Sequence, residues 1–105
     1  MKMLELIKKR CGIAAAVTVY DDDIQEYIKD CKEDMILAGV NSELVENETP
    51  GIITAITFYV KANIGNDRTD TDKYMELYHK KIFRLSLMEP EVAPVQPEEG
   101  ENDVE

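Results

Sequence analysis

This 105-residue sequence predicts an all-α protein: a small bundle of four helices around a central apolar helix, followed by a disordered acidic C-terminal tail. Three observations point to it. Residues 50–66, PGIITAITFYVKANIGN, read at about 100° per residue, place Thr54, Thr57 and Lys61 on one narrow polar strip and apolar side chains on nearly every other side. A helix of that kind has to be wrapped by others. The flanking segments repeat apolar residues at three- and four-residue steps, the signature of helices with one buried face. Residues 89–105 hold seven of the 22 acids, none of the 12 Lys and Arg, three prolines and no aromatic ring. Such a segment buries too little surface to offset the entropy of ordering it.

The first helix is predicted over Met3–Arg10, with Leu4, Ile7 and Cys11 inward and Gly12 ending it. Lys8, Lys9 and Arg10 crowd its last turn, where cations complement the helix dipole, and that suffices to explain them. Ile13–Tyr20, IAAAVTVY, is too short and β-branched for a helix and is read as an extended connector; a strand is the alternative. A lone strand leaves its backbone groups unsatisfied, so the segment either packs on the helices as a loop or pairs with another copy.

Asp21–Asp23 open a second helix, one of them as N-cap and the others favouring the positive helix end, with Ile24, Tyr27, Ile28, Cys31, Met35 and Ala38 on its buried face. Gly39 stops it. Its far side is a mixed charged surface on which Glu26–Lys29 and Lys29–Glu33 are spaced to pair weakly. Val40–Glu48 is a linker with one helical turn at Ser42–Val45. The central helix follows, with Thr49 as N-cap, Pro50 at the first helical position and Gly65–Asn66 as C-terminal cap. Asn63 falls on its apolar face, and its amide is expected to tie the helix to the connector or to a loop carbonyl.

The last helix starts after Thr69 or Asp70 as N-cap and runs to about Met88, with Tyr74, Leu77, Tyr78, Ile82, Leu85 and Met88 as its core stripe. Phe83 and Leu87 lie one turn apart on the other side. Outward apolar residues of this kind are covered by a subunit, by a docking protein, or by the connector of the same chain.

One domain, residues 1–88, and a tail, residues 89–105, account for the length. The body carries 15 acids against 12 bases, so the acidity resides mostly in the tail. A body of this size buries only about 60% of its unfolded surface, which leaves room for stabilisation by partners. No apolar run approaches a membrane span, and the charged start MKMLELIKKR lacks the apolar core of a secretory signal, so the protein is expected to stay where it is made and not to enter a membrane. Cys11 and Cys31 have no CxxC spacing and are read as reduced packing residues.

No enzymatic constellation is visible. His79 sits between tyrosine and lysines with no metal partner at i+4, DRTDTD lacks the glycine and the final glutamate of a calcium loop, and neither a phosphate loop nor zinc spacing occurs. No catalytic residue, metal or other cofactor is expected. A helix-turn-helix regulator is one rival reading, from MILAGVNSELVE; against it, Asn41–Gly51 contains no Lys or Arg with which to hold DNA. A generic helical adaptor in some other assembly is another.

The short leading helix, the phrase TVYDDDIQEYIKDCKEDMILAGV, the central AITFYVKANIG and the closing YMELYHKKIFRLSL together resemble the head-tail connector (adaptor) family of tailed bacteriophages, also called phage DNA-packaging proteins, over roughly residues 3–88. The resemblance implies a small all-α virion protein, made in the host bacterial cytoplasm. It implies a ring of twelve copies beneath the portal, bridging it to the next head-completion or tail protein and letting DNA pass without specific binding. It brings no catalytic residues and no role for the tail. On that reading, Phe83 and Leu87 are candidates for a subunit or portal interface, and Glu26, Asp30 and Glu33 are candidate channel-facing acids that repel sliding phosphates.

Overall fold

The computed structural model describes residues 2–64 and 70–88. Among these residues the chain is all helical: α1 Met3–Arg10, α2 Asp21–Leu37, α3 Ser42–Glu46, α4 Pro50–Asn63 and α5 Thr71–Ser86, with no strand. The segment 89–105, read from sequence as a tail, lies outside the described residues, as do Gly65, Asn66 and Thr69.

The helix that is apolar all round is the shared partner of the fold. No residue of α4 after Pro50 is exposed, and Ile52, Ala55, Ile56, Thr57, Val60 and Ala62 are buried. Each fully buried aliphatic side chain there is worth about 1.5–3 kcal/mol of transfer free energy. α5 makes the broadest contact with α4, α2 and α1 pack on it as well, and α3 packs on α2. The polar strip therefore faces protein, not water: Thr57 is buried with its hydroxyl donating to the Ile53 carbonyl at 2.8 Å, and the Lys61 ammonium lies 5.5 Å from the Tyr74 ring centroid.

Side-chain contacts set the helix directions. Tyr27 at the start of α2 donates to the Asn63 carbonyl at the end of α4 (3.1 Å), and the Tyr59 and Tyr78 rings meet at 5.1 Å. Gly51 at the start of α4 faces Leu85 near the end of α5, and a Cβ built on Gly39 would stand 3.9 Å from that of Ser86. α2 and α5 therefore run parallel to each other and antiparallel to α4, and their C-termini emerge at the same end of the bundle.

Chain ends of helices follow local chemistry. Both α1 and α2 close with a positive-φ glycine, Gly12 (φ 77°) and Gly39 (φ 102°), in Schellman motifs: Ile13 N–H bonds the Lys8 carbonyl at 2.8 Å and Val40 N–H bonds that of Met35 at 2.9 Å. Val40 then buries its side chain, while Ala38, expected on the buried face of α2, is exposed, because the last turn tightens at the cap. The helix expected at Ser42–Val45 forms as α3, with the Asn41 carboxamide oxygen accepting from Glu43 N–H at 2.8 Å.

One N-cap differs from expectation. Tyr20, not an aspartate, occupies the N-cap position of α2, and no side chain caps it; the three aspartates lie in the first turn, where they still complement the dipole. Thr49 and Asp70 hold the N-cap positions of α4 and α5 as expected, though without a side-chain hydrogen bond. α4 ends at Asn63, with Ile64 already extended; the expected cap residues Gly65 and Asn66 lie outside the described residues. Its last carbonyls are taken by side chains: Thr71 hydroxyl donates to Ala62 (3.0 Å) and Tyr27 to Asn63. The Asn63 amide does not reach a connector or loop; it donates to the Tyr59 carbonyl one turn back on its own helix, at 2.8 Å. α5 ends at Ser86, and i to i−3 bonds from Leu87 and Met88 tighten the final turn, so Met88 swings off the core stripe and is exposed. Tyr78, Ile82 and Leu85 are buried as expected, with Tyr74 and Leu77 half-buried.

Candidate assembly surface

Ile13–Tyr20 forms consecutive turns rather than a strand, with Ala14–Val19 exposed. One residue of α1 fixes its path. The Lys8 side chain runs inward, almost fully buried, and its ammonium donates to the Ala15 carbonyl at 3.1 Å while lying 2.8 Å from Asp21 Oδ1. The Asp21 contact is a charge pair more than an aligned hydrogen bond, since that oxygen is buried without a well-oriented donor. Sequence reading assigned Lys8 to the helix dipole together with Lys9 and Arg10; those two are exposed, and Lys8 instead joins α1, the connector and α2. A groove of about 760 Å³ runs beside this junction, lined by Leu4, Glu5, Lys9, Ile13 and Ala14 as well as by the pair itself.

No constellation of nucleophile, base and acid accompanies that groove. Cys31 is free and buried, and burial pushes its thiol from 9.0 up to about 12. Cys11 is half-buried and its thiol is likewise raised, chiefly by burial. The Tyr78 hydroxyl, fully buried, donates to Asp34 Oδ2 at 2.7 Å, and burial followed by that bond drives its phenol far above the ordinary range. These groups hold protons tightly, which suits packing and opposes acid-base work near neutrality. His79 is exposed beside the Tyr78 ring. No cluster of three or more His, Cys, Asp or Glu suited to a metal ion occurs among the described residues. Among the described residues no helix is long and apolar enough to cross a membrane.

The outward apolar pair stands as the sequence indicated. Phe83 is 65% exposed and Leu87 69%, and the connector does not cover them. They are not alone. Because α2 and α5 end together, Ile36 and Leu37 from α2, the latter 86% exposed, join Phe83, Leu87 and Met88 at one end of the bundle. Sequence reading missed Ile36 and Leu37, which follow the buried Met35 directly in a run of three apolar residues; the signal was that three consecutive positions cannot all face one side. Glu26, Asp30 and Glu33 are all exposed and recur at i, i+4 and i+7, one face of α2. The pairs considered for Lys29 do not form. The ion pairs among the described residues are Lys8–Asp21, Lys32–Glu48 at 2.7 Å and Lys80–Glu76 at 3.3 Å. The Asn41–Gly51 segment, which a helix-turn-helix would need as its reading element, is a five-residue helix and a turn with no cation on it.

The described surface is marked by large apolar side chains left exposed at one end of the bundle. Searches among curated proteins and among solved structures found no match. A family model described as phage connector protein matches residues 3–92, from the first residue of α1 past the end of α5. With the match spanning the whole helical body, the chain belongs to the phage connector protein family, the head-tail connectors that serve as structural components of the virion.

Proposed function

We propose that copies of this chain, residues 1–88 as the assembling domain and 89–105 as an appended tail, close into a ring beneath the portal. The ring, of twelve copies, bridges the portal to the next head-completion or tail protein, and DNA passes through without specific binding. The chain acts without a catalytic site, metal or cofactor; it is made in the bacterial cytoplasm and ends in the virion. The observation that carries this reading is the exposure of Phe83 and Leu87 at one end of a small body. Monomers rarely leave such a patch uncovered unless it is an interface. Contacts of one kind repeated by rotation generate rings.

Phe83 and Leu87 are assigned to the subunit or portal contact. Replacing both by Ser leaves the helical circular dichroism unchanged, because neither touches the core, and abolishes assembly on portal-bearing heads. Assembly that survives the double change overturns the assignment.

Glu26, Asp30 and Glu33 are assigned to the channel wall. An acidic wall repels phosphates, whereas a basic one releases counterions and grips DNA. Reversing all three to Lys is expected to create salt-sensitive duplex binding and to slow ejection. A ring structure with this face on its outer rim refutes the assignment.

A further inference from the structure

Two apolar surfaces, not one, are left uncovered, and they lie at opposite ends of the molecule. The first is the end formed by Leu37, Phe83, Leu87 and their neighbours. The second is the connector, where Val17 is exposed and Val19 is 76% exposed. α2 separates them: it starts one residue after the connector and ends at Leu37, and its 17 residues span about 25 Å.

Their charges are complementary. Residues 79–88 hold Lys80, Lys81 and Arg84 and no acid, although Lys80 also reaches Glu76, one turn earlier, at 3.3 Å in an exposed pair. Residues 13–23 hold three aspartates and no base; Asp21 is taken by Lys8, while Asp22 and Asp23 are exposed. Glu33 and Asp34, within one turn of Leu37, are the acids on the α2 side of the apolar end, and Asp34 accepts the Tyr78 hydroxyl. Packing this end on a second copy's identical end would bring two cationic α5 termini together, whereas packing it on a connector sets cations against Asp22 and Asp23. The connector is also held in a fixed shape from beneath, by the Lys8 bond to Ala15 and by turn bonds from Val17 to Ala14 and from Asp21 to Thr18. A preorganised segment loses less entropy on binding than a loose one.

We infer that the Leu37–Phe83–Leu87 end of one copy receives the Val17–Val19 connector of the next, with Lys80, Lys81 and Arg84 facing Asp22 and Asp23. The inference rests on the ring reading and names the partner surface within it. The contact is heterologous, so each copy offers one donor and one acceptor face, the arrangement that generates a ring when the rotation between copies closes.

A mixing experiment tests it. One variant carries Val17→Ser and Val19→Lys, which spoils the connector; another carries Phe83→Ser and Leu87→Ser, which spoils the end. All four positions are exposed, and matching circular dichroism and melting curves confirm that each variant is folded. At millimolar concentration, sedimentation velocity is expected to show assemblies for the unaltered chain and monomers for each variant alone. The equimolar mixture is expected to give a 1:1 dimer of twice 12.0 kDa and nothing larger, since only one good interface can form. Labelling either variant with nitrogen-15 should place the amide shifts near residues 83–87 of the connector variant and near 17–19 of the end variant.

Other outcomes are decisive in the opposite sense. If the connector variant assembles as the unaltered chain does, the inference falls while the ring reading stands. If the two variants fail to dimerise although the unaltered chain associates, the contact does not run from end to connector and the inference falls. If the unaltered chain stays monomeric and shifts at 83–87 only on adding portal, the end belongs to the portal and the inference falls. If the end variant assembles normally, the ring reading's interface falls with it.

Discussion

Replacing Lys8 by Met probes the least expected interaction in the molecule. The Lys8 side chain is 5% exposed and that of Asp21 26%, with their charged atoms 2.8 Å apart. Removing one member of a fully buried pair costs about 3–5 kcal/mol, because the other is left charged and unpaired. Two features reduce that figure here. Asp21 keeps a quarter of its side-chain surface in water, and it lies in the first turn of α2, where the helix dipole stabilises a carboxylate by about 0.3–1 kcal/mol. Met also refills most of the volume of the lysine stem. A loss of about 2 kcal/mol is therefore expected for Lys8→Met.

Asp21→Asn should be worse, at about 3 kcal/mol, since it strands a nearly buried ammonium with only the Ala15 carbonyl to bond. The double variant has neither charge and should lose about 2 kcal/mol, so the two changes are coupled by about 3 kcal/mol. For a domain of this size each kcal/mol moves the melting temperature by about 4–8 °C, which puts Lys8→Met roughly 10 °C below the unaltered chain. Urea unfolding followed by circular dichroism gives all four corners of the cycle. Additive losses, or a Lys8→Met variant that melts with the unaltered protein, would show that the ammonium is solvated and that the junction is not built on this pair.

Tyr78→Phe removes a buried hydroxyl from Asp34 without creating a cavity; because Asp34 is exposed and can rehydrate, the expected loss is about 1–1.5 kcal/mol by urea titration. Gly39→Ala should cost about 1–2 kcal/mol by the same assay, from the left-handed backbone at φ 102° alone, since the added Cβ meets Ser86 at an ordinary contact distance of 3.9 Å; an unchanged midpoint would mean that the α2 terminus re-forms differently. Alkaline stability follows from Cys31. Its folded thiol, raised from 9.0 to about 12, keeps a proton that the unfolded thiol releases, so its contribution is complete below pH 9 and is lost as pH rises toward 12. Tyr59 and Tyr78, both raised mainly by burial, act in the same direction. Replacing Cys31 by Ala should flatten the fall in melting temperature above pH 9; a curve of unchanged slope would remove Cys31 as its cause.

Local signals carried the architecture because they are local. α1 occupies the predicted Met3–Arg10, α2 begins at Asp21, and α4 begins at Pro50 behind Thr49, each where a composition change and a glycine, proline or acidic cluster coincide. Periodicity located Ile24, Ile28, Cys31 and Met35 in one buried row, and failed at Ala38 and Met88, where the final turn tightens and rotates side chains away from the stripe. What the sequence hid depends on distant partners. Nothing near Lys8 distinguishes it from Lys9; its burial becomes visible only once Asp21, thirteen residues on, is brought against it. Asn63 looked like a tie to another element because its amide was the evident polar group, whereas the tie runs through its backbone carbonyl to Tyr27. The apolar end likewise combines Leu37 and Leu87, fifty residues apart, and no windowed pattern joins them.

Stability and association are separable in this fold, and Lys8 is where they meet. The core lies along α4 between the two apolar ends, and Phe83, Leu87, Val17 and Val19 lend it almost nothing, so substitutions there should alter assembly at constant melting temperature. Substitutions at Ile52 or Ile56 should lower both together, by about 2–5 kcal/mol on truncation to Ala, since an unfolded subunit offers no surface at all. Lys8 belongs to neither class. It is buried, yet it braces the exposed connector through Ala15, so Lys8→Met should weaken assembly by more than its loss of stability explains, even at temperatures where the variant is fully folded. If assembly of Lys8→Met tracks its folded fraction alone, the connector needs no bracing and its shape does not contribute to the contact.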